Sequence, residues 1–99
     1  MNRDEILQTA ENHITVDRAA THGDAEDSFQ TIADAWSWWL SNRSIPESPL
    51  EASDVAIMMS LFKIARIAGN AQHEDNYIDL AGYAALAGEI STQELEAQT

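Results

Sequence analysis

The sequence predicts an all-α protein, a four-helix bundle-like domain with a central antiparallel helix hairpin and a short C-terminal helix. Glycine and proline are scarce, with four and two residues, whereas Ala, Leu, Glu and Gln, which favour helices, are abundant. Apolar residues also recur at helical spacing in each predicted segment. The 99 residues are enough for one domain, whose core we expect at about 5–90.

Composition restricts the classes of function. Seventeen acidic residues face five Lys and Arg, for a net charge of −12, and such a field repels the phosphate backbone of nucleic acids. General nucleic-acid binding is therefore not expected, whereas the charge suits a basic partner, a protein that occupies a nucleic-acid groove by mimicry, or simply solubility or a salty environment. The lack of cysteine excludes disulfides and thiolate metal sites. No signal peptide or membrane span is recognisable, so we expect a cytoplasmic protein that does not contact membranes.

The first helix is expected to begin after Asn2, which forms a capping box with Glu5. Its apolar residues recur at helical spacing: Ile6, Leu7, Ala10 and Ile14. It should end near His13, because the β-branched run over 14–16 favours an extended chain.

The second helix is expected to begin at Asp24, a favourable N-cap residue, and to end at about Asn42. One apolar stripe runs along it: Phe29, Ile32, Ala33, Trp36, Trp39 and Leu40. Trp38 falls outside this stripe, which suggests contact with a partner, a ligand or another helix.

The third helix begins at Pro49, with Ser48 before it, or after Ser53, and ends at about Ala68, before Gly69. It is apolar on nearly every side, and its polar interior positions form one narrow stripe: Ser60, Lys63 and Arg66. A helix of this kind is central or lies in an oligomer interface. Together with the largely apolar fourth helix, it predicts a homodimer or a larger homo-oligomer.

The fourth helix is expected from near His73 to about Glu89. Its polar stripe consists of Asp75, Asp79 and Gly82. Ser91 and Glu94 form a second capping box, which predicts a separate short helix at the C-terminal end.

The third and fourth helices are joined by about four residues and should therefore pack antiparallel. Arg66 then faces Asp75 or Asp79, and Lys63 faces Asp79 or Gly82. One interpretation is a pair of salt bridges that fixes the register of the hairpin. The other is a polar ligand pocket, and the two overlap because an ion-pair site can also bind phosphate.

In the pocket interpretation, Asp75 and Asp79 would hold Mg²⁺, which prefers carboxylate oxygens and often binds together with substrate phosphates. Lys63, Arg66 and Arg18 would then contact those phosphates.

Two further residues are candidates for the same pocket. Tyr83 lies one turn beyond Asp79, where it either donates a hydrogen bond into the pocket or packs in the core. His22 either contacts phosphate, acts as an acid or base, or is an ordinary surface residue. His13 and His73 lack the spacing of zinc ligands.

These residues resemble a small phage and prophage family of unassigned function. The first half of the resemblance lies in Asp17-Arg18, His22-Gly23-Asp24, Phe29, Ile32-Ala33 and Trp36. The second half lies in Asp54-Val55-Ala56 through Met59, Lys63-Ile64-Ala65-Arg66, and the run from Asp75 to Ala84. It covers roughly Glu5 to Glu89.

The Lys-x-x-Arg and Asp-x-x-x-Asp-x-x-x-Tyr arrangement is also similar to phage nucleotide-modification-associated domains and, more distantly, to MazG-like nucleoside triphosphate pyrophosphohydrolases. That resemblance implies an oligomeric helical bundle that binds Mg²⁺ and cleaves nucleotides between the α and β phosphates. It makes Asp75 and Asp79 metal ligands and Lys63 and Arg66 phosphate contacts. MazG-like enzymes pair a Glu-x-x-Glu motif with a Glu-x-x-Asp motif shortly after it. In this sequence the nearest counterpart of the first motif is Asp24 with Asp27.

Two functions follow from these patterns. The first is a phage-type nucleotide-handling protein, either a Mg²⁺-dependent pyrophosphohydrolase or a relative that only binds nucleotide. The second is a non-catalytic acidic accessory protein of a phage, which sequesters a signal nucleotide or inhibits a host defence protein in the host cytoplasm.

Overall fold

The computed structural model describes residues 1–13 and 25–98, with the side chains of 25–27 and 98 left aside. Within these ranges the chain forms four helices and no strand. Their bounds are α1, Arg3–Asn12; α2, Ala25–Asn42; α3, Ala52–Gly69; and α4, Glu74–Gln98. The predicted all-α class is confirmed.

Helix α3 is the centre of the fold. It packs along α4, which is its most extensive contact, and on another side it packs against α2. The linker of 70–73 between α3 and α4 is short, so the two helices form the predicted antiparallel hairpin. The hydroxyl of Tyr77 donates to the carbonyl of Ala71 at 2.9 Å and holds this turn.

Helix α2 is attached to α3 through indole groups as well as apolar contact. The Trp36 Nε1 donates to the carbonyl oxygen of Met58 at 2.6 Å, and Ile32 is buried. The predicted apolar stripe of α2 is confirmed at these positions. Phe29 departs from it, since its side chain is 61% exposed, and Trp38 lies outside the core at 59% exposed, as expected.

Helix α3 begins at neither of the predicted caps. Its N-cap is Glu51, whose backbone N–H donates to Asp54 Oδ2 at 2.9 Å. Ser53 instead lies inside the first turn, where it binds a residue of α4. Asp54 has therefore taken the capping role that the sequence suggested for a serine.

The C-terminal segment is helical, as predicted, but it continues α4 rather than forming a separate helix. The expected capping box at Ser91 is wrong because Glu94 is used elsewhere. Glu94 accepts a hydrogen bond from the Ser53 backbone N–H at 3.1 Å and another from the Ser53 hydroxyl at 2.5 Å. The far end of α4 thus caps the start of α3.

The buried core is small. Within the described part of the chain, the buried apolar residues are Ile32, Ala56, Ala65 and Ala87. Helix α1 has no buried residue. None of the described helices has the length and apolar character needed to cross a bilayer.

Candidate functional site

The predicted ion pair between α3 and α4 is present. Lys63 Nζ lies 2.9 Å from Asp79 Oδ2, with the lysine side chain 15% exposed and the aspartate side chain 47% exposed. The antiparallel hairpin places the two residues opposite each other, as the equal distances from the turn predicted. The aspartate can therefore reach solvent while the lysine ammonium is largely covered.

Arg66 lies one turn further along α3 from Lys63. The two cations are both near the ring of Phe62, with Lys63 Nζ 5.3 Å and Arg66 Cζ 5.1 Å from its centroid. At these distances a cation interacts favourably with the aromatic face. Phe62 thus lies close to both cations, of which Lys63 pairs with Asp79.

Asp75 does not share a partner with Asp79. Its side chain is 78% exposed, and its Oδ2 lies 4.0 Å from His73 Nε2. Across the described ranges, no three His, Asp or Glu side chains converge in a way that would hold a metal ion. The assignment of Asp75 and Asp79 as metal ligands remains a prediction.

Asn76 is the residue of this region that the sequence analysis missed. It is only 2% exposed, and its amide Nδ2 is buried without a hydrogen-bond partner among the described residues. It precedes Asp79 by three positions, so the two lie on neighbouring parts of the face of α4 that packs on α3. Helical periodicity could have identified Asn76 as a covered residue. It begins a stripe of buried and half-buried residues spaced three or four positions apart, which continues through Leu80, Tyr83 and Ala87.

The remaining predicted site residues fall into two groups. Tyr83 is half-buried on the same stripe of α4, two turns from Asn76. Arg18 and His22 lie outside the described residues, so their predicted phosphate contacts stay untested.

A second polar cluster lies between α2 and the start of α3. Asp54 Oδ2 lies 2.8 Å from Arg43 Nη1, and Asp54 Oδ1 accepts a hydrogen bond from Trp39 Nε1 at 3.0 Å. Both charged side chains are at most 10% exposed. Arg43 also donates to the carbonyl oxygens of Pro46 and Ser48. Among the described residues the Arg43 Nε is buried without a hydrogen-bond partner, and the other polar groups of this cluster hold the interhelix loop.

Hydrogen bonding determines the charge state of Asp54. Burial alone would raise its pKa, but the hydrogen bonds from the Glu51 backbone and from Trp39, together with Arg43, lower it below the ordinary 3.8. The carboxylate is therefore ionised over the whole neutral range. This cluster could not be predicted from the sequence, apart from the general need of a buried indole N–H for a hydrogen-bond acceptor.

The contact between Glu94 and Ser53 brings a second carboxyl group, that of Glu51, close to Glu94. A hydrogen bond to the Glu94 side chain, together with its negative charge, raises the pKa of Glu51. The hydroxyl of Ser53 lowers the pKa of Glu94. Glu51 is thus the carboxyl of this pair that takes up a proton first as the pH falls.

The two clusters differ in the groups that they leave for a ligand to contact. Around Asp54, each carboxylate oxygen has a partner. On α4, the buried amide donor of Asn76 has no partner within the described part of the chain, and the carboxylate of Asp79, which pairs with Lys63, is half exposed. Cations with an amide donor are the groups that bind phosphate oxygens, and a half-exposed carboxylate can meet a metal ion carried by a nucleotide.

Comparison with known proteins gives relatives without an assigned activity. The family model of DUF6378, a domain of unknown function, matches residues 5–91. The chain is 40% identical over 91 residues to the Gene 55 protein of Mycobacterium phage L5, a match that covers 92% of the chain and 55% of the phage protein. It is 33% identical over 95 residues to the Gene 55 protein of Mycobacterium phage D29, covering 96% of the chain and 59% of that protein.

The chain thus spans somewhat more than half the length of these phage proteins. No solved structure matches it. The matched range agrees closely with the extent of the phage-family resemblance seen in the sequence. The chain belongs to the family of the domain of unknown function DUF6378.

Proposed function

We propose that this protein binds a phosphate-bearing small molecule, of the nucleotide class, between α3 and α4. The observation that carries the proposal is the buried amide of Asn76, which has no hydrogen-bond partner among the described residues and lies one helical turn before Asp79, the partner of Lys63. An unsatisfied buried donor costs roughly 1–3 kcal/mol. A ligand oxygen that accepts from this amide would recover that free energy on binding.

Each residue has a separate role in this proposal. Lys63 and Arg66 supply positive charge, which in a chain of net charge −12 is needed locally to attract a phosphate. Asn76 supplies a directed neutral donor. Phe62 lies close to both cations. Asp79 holds Lys63 in place until an anionic ligand competes for it.

Mg²⁺ enters the proposal as the ion that accompanies a nucleotide. Mg²⁺ keeps several waters and is usually bound by one or two carboxylates plus substrate phosphates. Asp79, which is 47% exposed, is the carboxylate that fits this role, and the exposed Asp75 is one turn away. Bound there, the ion would neutralise phosphate charge and polarise the phosphorus–oxygen bonds.

The sequence pattern also resembles that of MazG-like pyrophosphohydrolases, which extends the proposal from nucleotide binding to nucleotide hydrolysis. The described residues contribute binding groups, and we infer nucleotide binding as the basic activity, with hydrolysis to be tested separately. The phage origin of the Gene 55 relatives supports a phage or prophage role for this chain in the cytoplasm of a host cell.

A titration of the purified protein with ATP, GTP and inorganic pyrophosphate, each with and without Mg²⁺, tests this proposal. At 100 times its dissociation constant a ligand should add about 2.7 kcal/mol to the free energy of unfolding. Lys63→Met should weaken the effect at least about tenfold, since it removes a charged partner of phosphate. Arg3→Met, on the exposed helix α1, is the matched control and should bind like the wild type.

Two results would overturn the proposal. One is that no phosphate compound shifts the unfolding transition or gives binding heat. The other is that Lys63→Met and Arg3→Met weaken binding equally, which would indicate a nonspecific response to net charge. Release of phosphate or pyrophosphate in the same titrations would establish hydrolysis.

A host protein is the second candidate ligand, and one observation favours it. Helix α4 contains six acidic residues and no lysine or arginine: Glu74, Asp75, Asp79, Glu89, Glu94 and Glu96. A basic partner bound along this helix should dissociate as salt rises, because exposed charge pairs are screened.

A further inference from the structure

The outer face of α4 is uncharged along its middle. Nine consecutive residues, 80–88, contain no charged side chain in a protein of net charge −12. Only the stripe of Leu80, Tyr83 and Ala87 in this stretch packs toward α3. The remainder of the circumference faces solvent.

The exposed surface along the middle of α4 consists of small and apolar residues. We call it the α4 patch, and its members are Ile78, Ala81, Gly82, Ala85 and Leu86, all exposed. The two large side chains stand out, with Ile78 65% and Leu86 49% exposed. Helical spacing places the five on the side of α4 that is turned away from α3 or beside it. Contiguous exposed apolar surface of this kind marks an interaction site.

We propose that the α4 patch is the interface between two copies of this chain. Three features indicate a second copy rather than a basic partner. The first is charge, since a basic partner would be recognised by the acidic residues at the two ends of α4, and the uncharged middle contributes nothing to such recognition.

The second feature is surface area. The chain exposes 7131 Å², whereas a folded monomer of 10.9 kDa is expected to expose about 5,600 Å². Part of the difference belongs to α1, which has no buried residue, and the whole of it exceeds the roughly 800 Å² that each partner buries in a standard interface. A dimer contact is therefore within what this surface can supply.

The third feature is self-complementarity. Two α4 helices packed antiparallel through the Gly82 and Leu86 side, about a two-fold axis level with residue 84, would bring Leu86 of each copy beside Gly82 of the other, since the residue numbers are symmetric about 84. A Cβ atom added at Gly82 would meet no atom within 4 Å beyond its chain neighbours and the local helix backbone, so there is space for the incoming leucine. Small residues also let two helices approach closely.

Charge gives this dimer a distinctive response to salt. Asp79 and Glu89 flank the patch, and in the antiparallel pair each lies near the other carboxylate of the second copy. Salt screens that repulsion. Association of two copies should therefore strengthen as salt rises, which is the opposite of the response expected for a basic partner.

Sedimentation equilibrium at low and high salt tests the interface. The wild type should be a dimer, and Leu86→Glu should weaken the dimer at least about tenfold because it places a charge at the centre of the contact. Leu95→Glu is the matched control: Leu95 is 63% exposed on the same helix, but nine residues further on, so it faces the opposite direction. It should remain dimeric.

A second variant separates dimerisation from folding. Gly82→Leu should raise the helical stability of the monomer, because leucine is the better helix former, and should weaken the dimer by filling the space that Leu86 enters. The proposal is overturned if the wild type sediments as a monomer at high salt, or if Leu86→Glu and Leu95→Glu weaken association equally. It is also overturned if Gly82→Leu leaves the dimer unchanged. Nucleotide binding by a monomer would leave the previous proposal intact.

Discussion

At the scale of single residues, Asp54 has the greatest influence on the fold. It caps α3, accepts a hydrogen bond from Trp39 and pairs with Arg43 at 2.8 Å, all while 7% exposed. Breaking a buried ion pair leaves an uncompensated charge, which is far more damaging than losing an exposed pair.

Asp54→Ala should therefore lower the free energy of unfolding by about 3–5 kcal/mol. The loss is large because Arg43 would remain buried without its partner. Urea unfolding followed by circular dichroism measures this. Asp34→Ala, at an exposed position of α2 where the carboxylate accepts only from Gln30, is the control and should stay within about 0.5 kcal/mol of the wild type. Equal effects of the two substitutions on the free energy of unfolding would show that the buried ion pair adds no more stability than the exposed hydrogen bond of Asp34.

The lowered pKa of Asp54 also gives a pH dependence with a definite sign. A depressed pKa stabilises the folded state above the ordinary value of 3.8, and that contribution disappears as the pH falls through the folded-state pKa. The wild type should exceed Asp54→Asn in unfolding free energy by a constant amount above about pH 5, and the difference should shrink below pH 3.8. Unfolding measured for both proteins across this range tests it, and a difference that grows on acidification contradicts it.

Sequence patterns predicted part of the chemistry at this scale. The Lys63–Asp79 pair followed from helix spacing and a short turn. The Arg43–Asp54 pair did not, because Arg43 comes after the end of α2, where no helical periodicity fixes its direction. Asn76 was not among the predicted site residues, whereas its neighbour Asp75, which was, is turned outward by the helix geometry.

At the scale of elements, the unbroken course of α4 is the main departure from the prediction. Ser91 and Glu94 have the spacing of a capping box, but Glu94 accepts two hydrogen bonds from Ser53 of α3. A tertiary contact has replaced a local one. Local capping patterns cannot reveal such a contact, since its partner is 41 positions away in the sequence.

A proline substitution distinguishes the continuous helix from the interrupted one. Thr92→Pro would be tolerated if Ser91 were an N-cap, because proline is favoured at the first helical position. In the continuous α4 it should cost about 3 kcal/mol, since it removes a backbone hydrogen bond within the helix. Thermal unfolding gives the answer, and an unchanged melting temperature would mean that the helix is interrupted after all.

The contact between Glu94 and Ser53 should itself contribute to stability. Glu94→Ala should lower the free energy of unfolding by about 1 kcal/mol, the usual effect of losing an N-terminal helix cap. In a domain of this size that is a fall of about 4–8 °C in melting temperature. Glu89→Ala, at an exposed position of the same helix, should change it little. A larger effect at Glu89 than at Glu94 would contradict the assigned contact.

At the scale of the whole molecule, the helix content, the order of helices and the central hairpin were all predictable, because periodicity and a four-residue turn determine them. The size of the core was not, since apolar residues counted from the sequence do not reveal how many remain exposed. Phe29 shows this, with helical spacing that matches the core stripe and a side chain that is mostly in solvent.

The proposed function requires that Lys63, Arg66, Asn76 and Asp79 form a binding site rather than a structural contact. In a purely structural contact, a buried asparagine would be retained because it stabilises the hairpin. In a binding site, its unpartnered amide lowers stability in the absence of ligand and contributes only when ligand is present.

The most direct measurement is therefore made on Asn76→Leu, which keeps the branched shape of the side chain and removes its polar groups. Its free energy of unfolding without ligand should equal or exceed that of the wild type, while its affinity for ATP with Mg²⁺, measured by isothermal titration calorimetry, should fall at least about tenfold. A variant that loses stability and binds ATP as the wild type does would contradict the account.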